Sequence, residues 1–113
     1  MKSKIVALSK NEEFKSLLNQ KKISNKYVVI FFGRLANKNI SKLNISFVVK
    51  KKIGNAVNRN KIKRRLRNII NDAVKNVNLK FNYSYLVIAK PTMLNKEYTI
   101  MKEILFSDLE RIR

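Results

Sequence analysis

The sequence has no cysteine, no histidine and no tryptophan, a single proline, two glycines and only seven carboxylates among its 113 residues. Each shortage removes a class of chemistry. Without cysteine there is no disulfide, no thiolate nucleophile and no cysteine zinc site. Without histidine the usual general base and the commonest metal ligand are gone. A metal-dependent nuclease would need clustered carboxylates, but Asp72, Glu97, Glu103, Asp108 and Glu110 share no spacing that gathers them, and they read as surface charge or ion pairs. No apolar stretch approaches the ~18 residues of a membrane span. Residues 1–9 also lack the long apolar region of a secretory signal. These absences place the chain in the cytoplasm with no membrane partner. The scarcity of glycine and proline, with 45% hydrophobic and 9% aromatic residues, describes a chain that folds around a core and excludes a disordered basic tail.

Positive charge is what the sequence has in abundance. Lys and Arg total 26 against 7 Asp and Glu, a formal net charge of +19. A chain of this length makes one domain, residues 1–113, and such a domain has a radius of gyration of roughly 13 Å. That much like charge on so small a surface calls for a polyanion, and nucleic acid is the first candidate.

Hydrophobic spacing outlines the fold. Ser9 and Glu12 have the spacing of a capping box, and Phe14, Leu17 and Leu18 recur at helical intervals behind them, which predicts a helix from about Lys10 to Asn19. Gln20 to Lys26 is polar and basic, a connection. Tyr27 to Phe32 is a β-branched and aromatic run ended by Gly33, and Leu43 to Val49 largely alternates apolar with polar, so both read as strands. Leu35 to Ser41 is the loop between them. Asn55 can cap a helix of about 22 residues whose Ile62, Leu66, Ile69, Ile70, Ala73, Val74 and Val77 share one face. Phe81 to Ala89 reads as a further strand stopped by Pro91. A last helix follows Asn95, carrying Tyr98, Met101, Leu105, Leu109 and Ile112. The class is α+β, a single domain with a small mixed sheet of three to four strands packed with three helices.

The chemistry concentrates between Lys50 and Arg67, where nine of eighteen residues are Lys or Arg and none is acidic. At about 100° per residue, Asn60, Lys63, Arg64 and Arg67 form a continuous band beside the apolar stripe, with Lys61 and Arg65 further round. Arg supplies forked donors that match phosphate oxygens, and Lys supplies a mobile charge. The helix start at Gly54 and Asn55 adds unpaired N–H groups and positive dipole character, a second reason for an anion to settle there.

The string Lys-Lys-Ile-Gly-Asn-Ala-Val-x-Arg-Asn-x-x-Lys-Arg-x-x-Arg, from Lys51 to Arg67, closely resembles the signature of the protein subunit of bacterial ribonuclease P. The opening Leu8 to Phe14 segment and the order of elements resemble that family as well. Lys61, where the family often has Arg, and Asn68, where an acidic residue or Gln is common, depart from the pattern. The resemblance implies a protein that binds a catalytic RNA and helps it remove the 5′ leader of precursor tRNA, with the RNA carrying magnesium-dependent hydrolysis and the chain itself binding no cofactor. It also implies a left-handed crossover through the long helix, against the general preference. By the same match, Lys51, Lys52, Arg59, Asn60, Lys63, Arg64 and Arg67 face the RNA, and the charge and capping pattern adds Asn55, Lys61 and Arg65 to the candidate RNA-binding surface. A leader cleft between the sheet and the long helix would use Phe14, Leu18 and a first-strand residue. Phe31 is the choice, with Tyr27 and Val29 on its face by alternation. Ser46, Val48 and Lys50 share a face of the second strand, where small residues leave room for RNA.

Three other readings stand beside this one. Composition alone fits a ribosomal or other structural RNA-binding protein equally well, and only the motif separates the two. A DNA-binding regulator lacks its short helix-turn-helix pair, because a strand precedes the long helix; DNA is therefore not a partner here. An autonomous nuclease lacks its catalytic groups.

Overall fold

The alternation that marks the strands in sequence divides the folded chain into two faces of one sheet. The computed structural model describes residues 5–8, 11–35, 42–76, 79–94 and 98–112. Four strands of four to six residues make the sheet: β2 (Lys21–Ser24), β3 (Val28–Gly33), β4 (Leu43–Val48) and β5 (Ser84–Ala89). The two-residue β1 (Ile5–Val6) extends one edge, giving the order β1-β4-β5-β3-β2. β1 and β5 run parallel to β4, and β3 is antiparallel to both β5 and β2, so the sheet is mixed. Three helices complete the α+β domain: α1 (Asn11–Leu18), α2 (Ala56–Asn76) and α3 (Tyr98–Arg111).

Val28, Ile30 and Phe32 of β3, Leu43 and Ile45 of β4 and Tyr85, Val87 and Ala89 of β5 all point to the face covered by α2 and α3. There they meet Ile62, Leu66, Ile69, Ile70 and Ala73 of α2 and Met101, Leu105 and Leu109 of α3 in the main core. Burial pushes the Tyr85 phenol well above its ordinary pKa even though its hydroxyl donates to the Lys80 carbonyl at 2.8 Å. α3 is held at both ends. Lys102 Nζ lies 2.9 Å from Asp72 Oδ2 of α2, and the buried Asp108 accepts from Asn25 Nδ2 at 2.8 Å. The opposite face carries a smaller cluster of Leu8, Leu17 and Leu86, with Phe14, Phe31, Leu35, Val48 and Ile88 half-buried around it. Among the described residues only one helix, the 8-residue α1, covers this side.

Three local features differ from the sequence reading or refine it. Gln20 to Lys26 is more than a connection, since Lys21–Ser24 pairs with β3 as an edge strand. Its Lys21, Lys22 and Ser24 are exposed, so it shows no apolar alternation, and lysines on an edge guard it against pairing with another chain. Tyr27 does not share a face with Phe31. It is fully buried in the main core with Val28 and Ile30, because Asn25 Oδ1 accepts from the Tyr27 and Val28 amides at 2.8 and 2.9 Å and turns the chain there. Strand alternation begins only after that turn. β5 starts at Ser84, after a turn that includes Phe81 and Asn82. The caps expected at Ser9 and Asn95, with Lys10 and Val77, lie outside the described residues.

The expected cap of α2 is formed. Asn55 Oδ1 accepts from the Asn58 amide at 2.9 Å while the Asn55 carbonyl accepts from the Arg59 amide at 2.9 Å. Asn55→Ala should therefore cost about 1 kcal/mol, and Leu66→Ala, in the middle of the buried stripe, about 2 to 5 kcal/mol. Urea unfolding of both variants checks the order. An Asn55→Ala protein as stable as the parent would remove the cap from the account.

Candidate nucleic-acid interface

The buried stripe of α2 fixes how the helix is rotated, and that rotation sorts the basic residues into three directions. Lys63 and Arg67, one turn apart on the flank nearest β4, line a cleft of about 510 Å³ with Phe14 of α1, Ile5, Ala7 and the Ile45-Ser46-Phe47 segment of β4. Asn60 and Arg64 form the exposed crest, and Lys61 beyond them is exposed too. Arg65, on the far flank, is half-buried and donates from Nη1 to the Met93 carbonyl at 3.5 Å. It ties α2 to the short 3-10 turn Pro91–Leu94 that follows β5.

Arg59 follows the apolar row more than the crest. It is half-buried, and its Nε is enclosed without a hydrogen-bond partner among the described residues. Lys50, Lys51 and Lys52 are exposed where the chain leaves β4 and makes the 3-10 turn Lys51–Ile53, with buried Ile53 as the anchor.

The cleft opens at the edge of β4. β1 pairs only with Leu43 and Asn44, and beyond it the Leu8 amide donates to the Ser46 hydroxyl at 2.8 Å. Ser46 thus holds the preceding chain and lines the cleft. Phe14 sits where the cleft meets the second apolar cluster, to which Phe31 and Val48 belong. Phe31 stays half-buried with Lys22 Nζ 6.0 Å from its ring centre. Leu18, 46% exposed on α1, stands outside both. The structure therefore brings Phe14, Ser46, Lys63 and Arg67 to one cavity, sets Phe31 and Val48 on the adjoining sheet face, and takes Tyr27 away into the core. Ile5, Ala7 and Phe47 were not legible as cleft residues. Ile5 lies in a two-residue strand too short for periodicity and Ala7 just after it, and the side chain of Phe47 follows the core-facing parity of β4.

Electrostatics single out the start of α2. α1 obeys the usual rule, with Glu12 and Glu13 in its first turn. α2 has no acid in its first turn, so the positive end of its dipole is uncompensated, and Lys50 to Lys52 and Arg59 add to it. α3 also has no acid in its first turn, so what sets the start of α2 apart is the density of basic residues around it. Two acids are engaged elsewhere, Asp72 with Lys102 and Asp108 with Arg111 at 3.5 Å. Among the described residues no three acidic side chains gather into a set able to hold a metal ion.

Comparison with known proteins agrees with this geometry. A family model described as Ribonuclease P matches residues 3–113. The ribonuclease P protein component of Carboxydothermus hydrogenoformans is 35% identical over 100 residues, covering 85% of this chain and 81% of that protein. That of Mesoplasma florum is 33% identical over 98 residues, covering 87% and 86%. Among solved structures, the RNase P protein of Thermotoga maritima superposes with a TM-score of 0.79 at 25% identity, over 96% of this chain and 98% of that one.

The uncompensated helix start yields a test in which stability and binding move in opposite directions. Ala56, exposed in the first turn of α2, can be replaced by Glu to supply the missing carboxylate. Ala56→Glu should stabilise the free protein by about 0.3 to 1 kcal/mol and weaken RNA binding at low salt. Chemical unfolding and RNA titration of the same preparation check both signs, and unchanged RNA affinity would show that no phosphate approaches this end.

Proposed function

The chain belongs to the ribonuclease P protein family, and on that premise we propose how its surfaces divide the work of tRNA 5′ maturation. It is the accessory subunit of a ribonucleoprotein endoribonuclease whose RNA carries the catalysis, and its partners are that RNA and the tRNA substrate. In this reading the exposed crest of α2, Asn60, Lys61 and Arg64, with Lys51, Lys52 and the capped end at Asn55, grips phosphates of the catalytic RNA. Arg59 and Arg65, both half-buried, hold that surface in place. Lys63 and Arg67 turn inward and hold the single-stranded 5′ leader against Phe14. Phe31 and Val48 continue the apolar wall, Leu18 stands exposed outside it, and Lys50 lies at its end.

One observation carries the reading. The cleft has two cations on one wall and an aromatic ring among apolar residues on the other. Cations follow a backbone and rings stack on bases, and because every base has a stackable face, such a wall accepts leaders of varied sequence. Magnesium belongs to the RNA in this account, since the carboxylates of the chain are dispersed and the chain itself binds no cofactor. No helix among the described residues is long and apolar enough to cross a membrane. We place the protein in the cytoplasm, where it meets precursor tRNA, and assign it neither DNA nor a membrane.

Reconstitution tests the division. The chain mixed with a bacterial ribonuclease P RNA and precursor tRNA at low magnesium should restore cleavage at the mature 5′ end, while the chain alone cuts nothing. Arg64→Ala should weaken binding of the catalytic RNA and flatten the dependence of log affinity on log salt by about 0.7 to 0.9, one phosphate contact. Phe14→Ala should leave that affinity near the parent's and cost about 1 to 3 kcal/mol in binding leader-bearing precursor, with mature tRNA unaffected. Arg67→Ala should likewise fall short on precursor only. Folded Phe14→Ala and Arg67→Ala proteins that still discriminate precursor from mature tRNA as the parent does would move the leader elsewhere.

A further inference from the structure

At the sheet edge opposite the cleft, a second cavity of about 280 Å³ lies where β2 begins and β3 ends, lined by Gln20, Lys21, Phe32, Gly33, Arg34 and Tyr83. No acid is among these residues. Arg34, exposed just past β3, holds its guanidinium 5.8 Å from the centre of the half-buried Tyr83 ring. Tyr83 in turn meets Phe32 at 5.8 Å with the rings tilted by 52°, which fixes the plane it offers. Gly33 has no side chain, and the Gln20 carboxamide lies over it, its oxygen within 1.9 Å of where a Cβ would stand.

We propose that this cavity is a second RNA subsite that takes one unpaired nucleotide, its phosphate on Arg34 and Lys21 and its base against Tyr83. An Arg on a Tyr ring is by itself an ordinary surface contact. Here it borders a cavity slightly smaller than the usual range for small-molecule pockets, with two cations at its mouth and a braced ring in its wall. That combination suits a nucleotide, because stacking platforms beside basic side chains are the general means of holding single strands. Position supports it too. The cavity and the cleft flank the same sheet, and β2 is three interstrand steps from β4, about 14 Å. That separation is within reach of a short single-stranded RNA segment.

The proposal rests on the RNA-binding reading above, and the nucleotide can come from the catalytic RNA or from the upstream part of a leader. Two arms separate these sources. In the first, the full chain is titrated with ribonuclease P RNA; in the second, the holoenzyme is titrated with precursor tRNA bearing a long or a truncated leader. Arg34→Gln, an exposed substitution, should weaken binding about three-fold or more in one arm, with a salt slope shallower by about 0.7. Loss in the first arm assigns the nucleotide to the catalytic RNA, and loss confined to the long leader assigns it to the substrate. Tyr83→Phe keeps the ring and should match the parent, while Tyr83→Leu should weaken the same arm as Arg34→Gln at a melting temperature shown to remain above the assay temperature. Parental affinity of Arg34→Gln in both arms overturns the proposal. Arg67→Ala run beside it reports on the cleft separately, so failure of one reading is not mistaken for failure of the other.

Discussion

The rotation of α2 about its own axis is the constraint on which the surfaces of this protein depend. Ile62, Leu66, Ile69, Ile70 and Ala73 are buried almost completely, and each large one resists exposure by roughly 1.5 to 3 kcal/mol. Turning the helix by even one residue position would bring charged side chains into the core and strand apolar ones in water. With the stripe pinned, a spacing of three or four residues decides everything else. Lys63 and Arg67 must face the cleft, Asn60 and Arg64 must face out, and Arg65 must face the turn at Pro91–Leu94. The apolar residues thus set the geometry of the charged ones, and the motif that looks like a binding signature is half packing code.

That arrangement has a local electrostatic cost. The start of α2 collects like charge around an uncompensated dipole, whereas α1 carries Glu12 and Glu13 in the favourable place. The folded state tolerates this because the stripe is long: α2 spans 21 residues, so several turns of buried contacts outweigh repulsion confined mostly to its first half. A shorter helix with the same charges would be marginal. The length of α2 and the density of its basic band are therefore linked, and an RNA phosphate arriving at its end relieves repulsion as well as forming new contacts.

What could be read in the sequence followed from how many residues shared each signal. The α2 stripe, its cap at Asn55 and the basic band repeat over many residues, so sequence and structure agree on them. β2 stayed hidden because an edge strand with exposed Lys21, Lys22 and Ser24 needs no apolar face. Tyr27 was misplaced because alternation was extended one residue too far, across a turn made by the Asn25 side chain. Period-two reasoning has no means of detecting a side chain that bends the backbone. The walls of the cleft were only half legible for a different reason. Phe14, Ser46 and Lys63 come from three elements far apart in sequence, and only the family resemblance suggested that Phe14 and the second strand face a common groove.

The chemistry absent from the chain also bears on how its binding responds to conditions. With neither histidine nor cysteine, it has no side chain whose ordinary pKa lies near neutrality. The cations that line the cleft and crest are Lys and Arg, residue types whose ordinary pKa values lie far above neutrality. Contacts of this kind respond to ionic strength, through release of counterions from the RNA, and are nearly indifferent to small changes in pH. A subunit built this way can hold its partners in a fixed geometry while a separate catalytic component carries every proton transfer. Changes in rate with pH then belong to the catalytic RNA, and changes in assembly with salt belong to the protein.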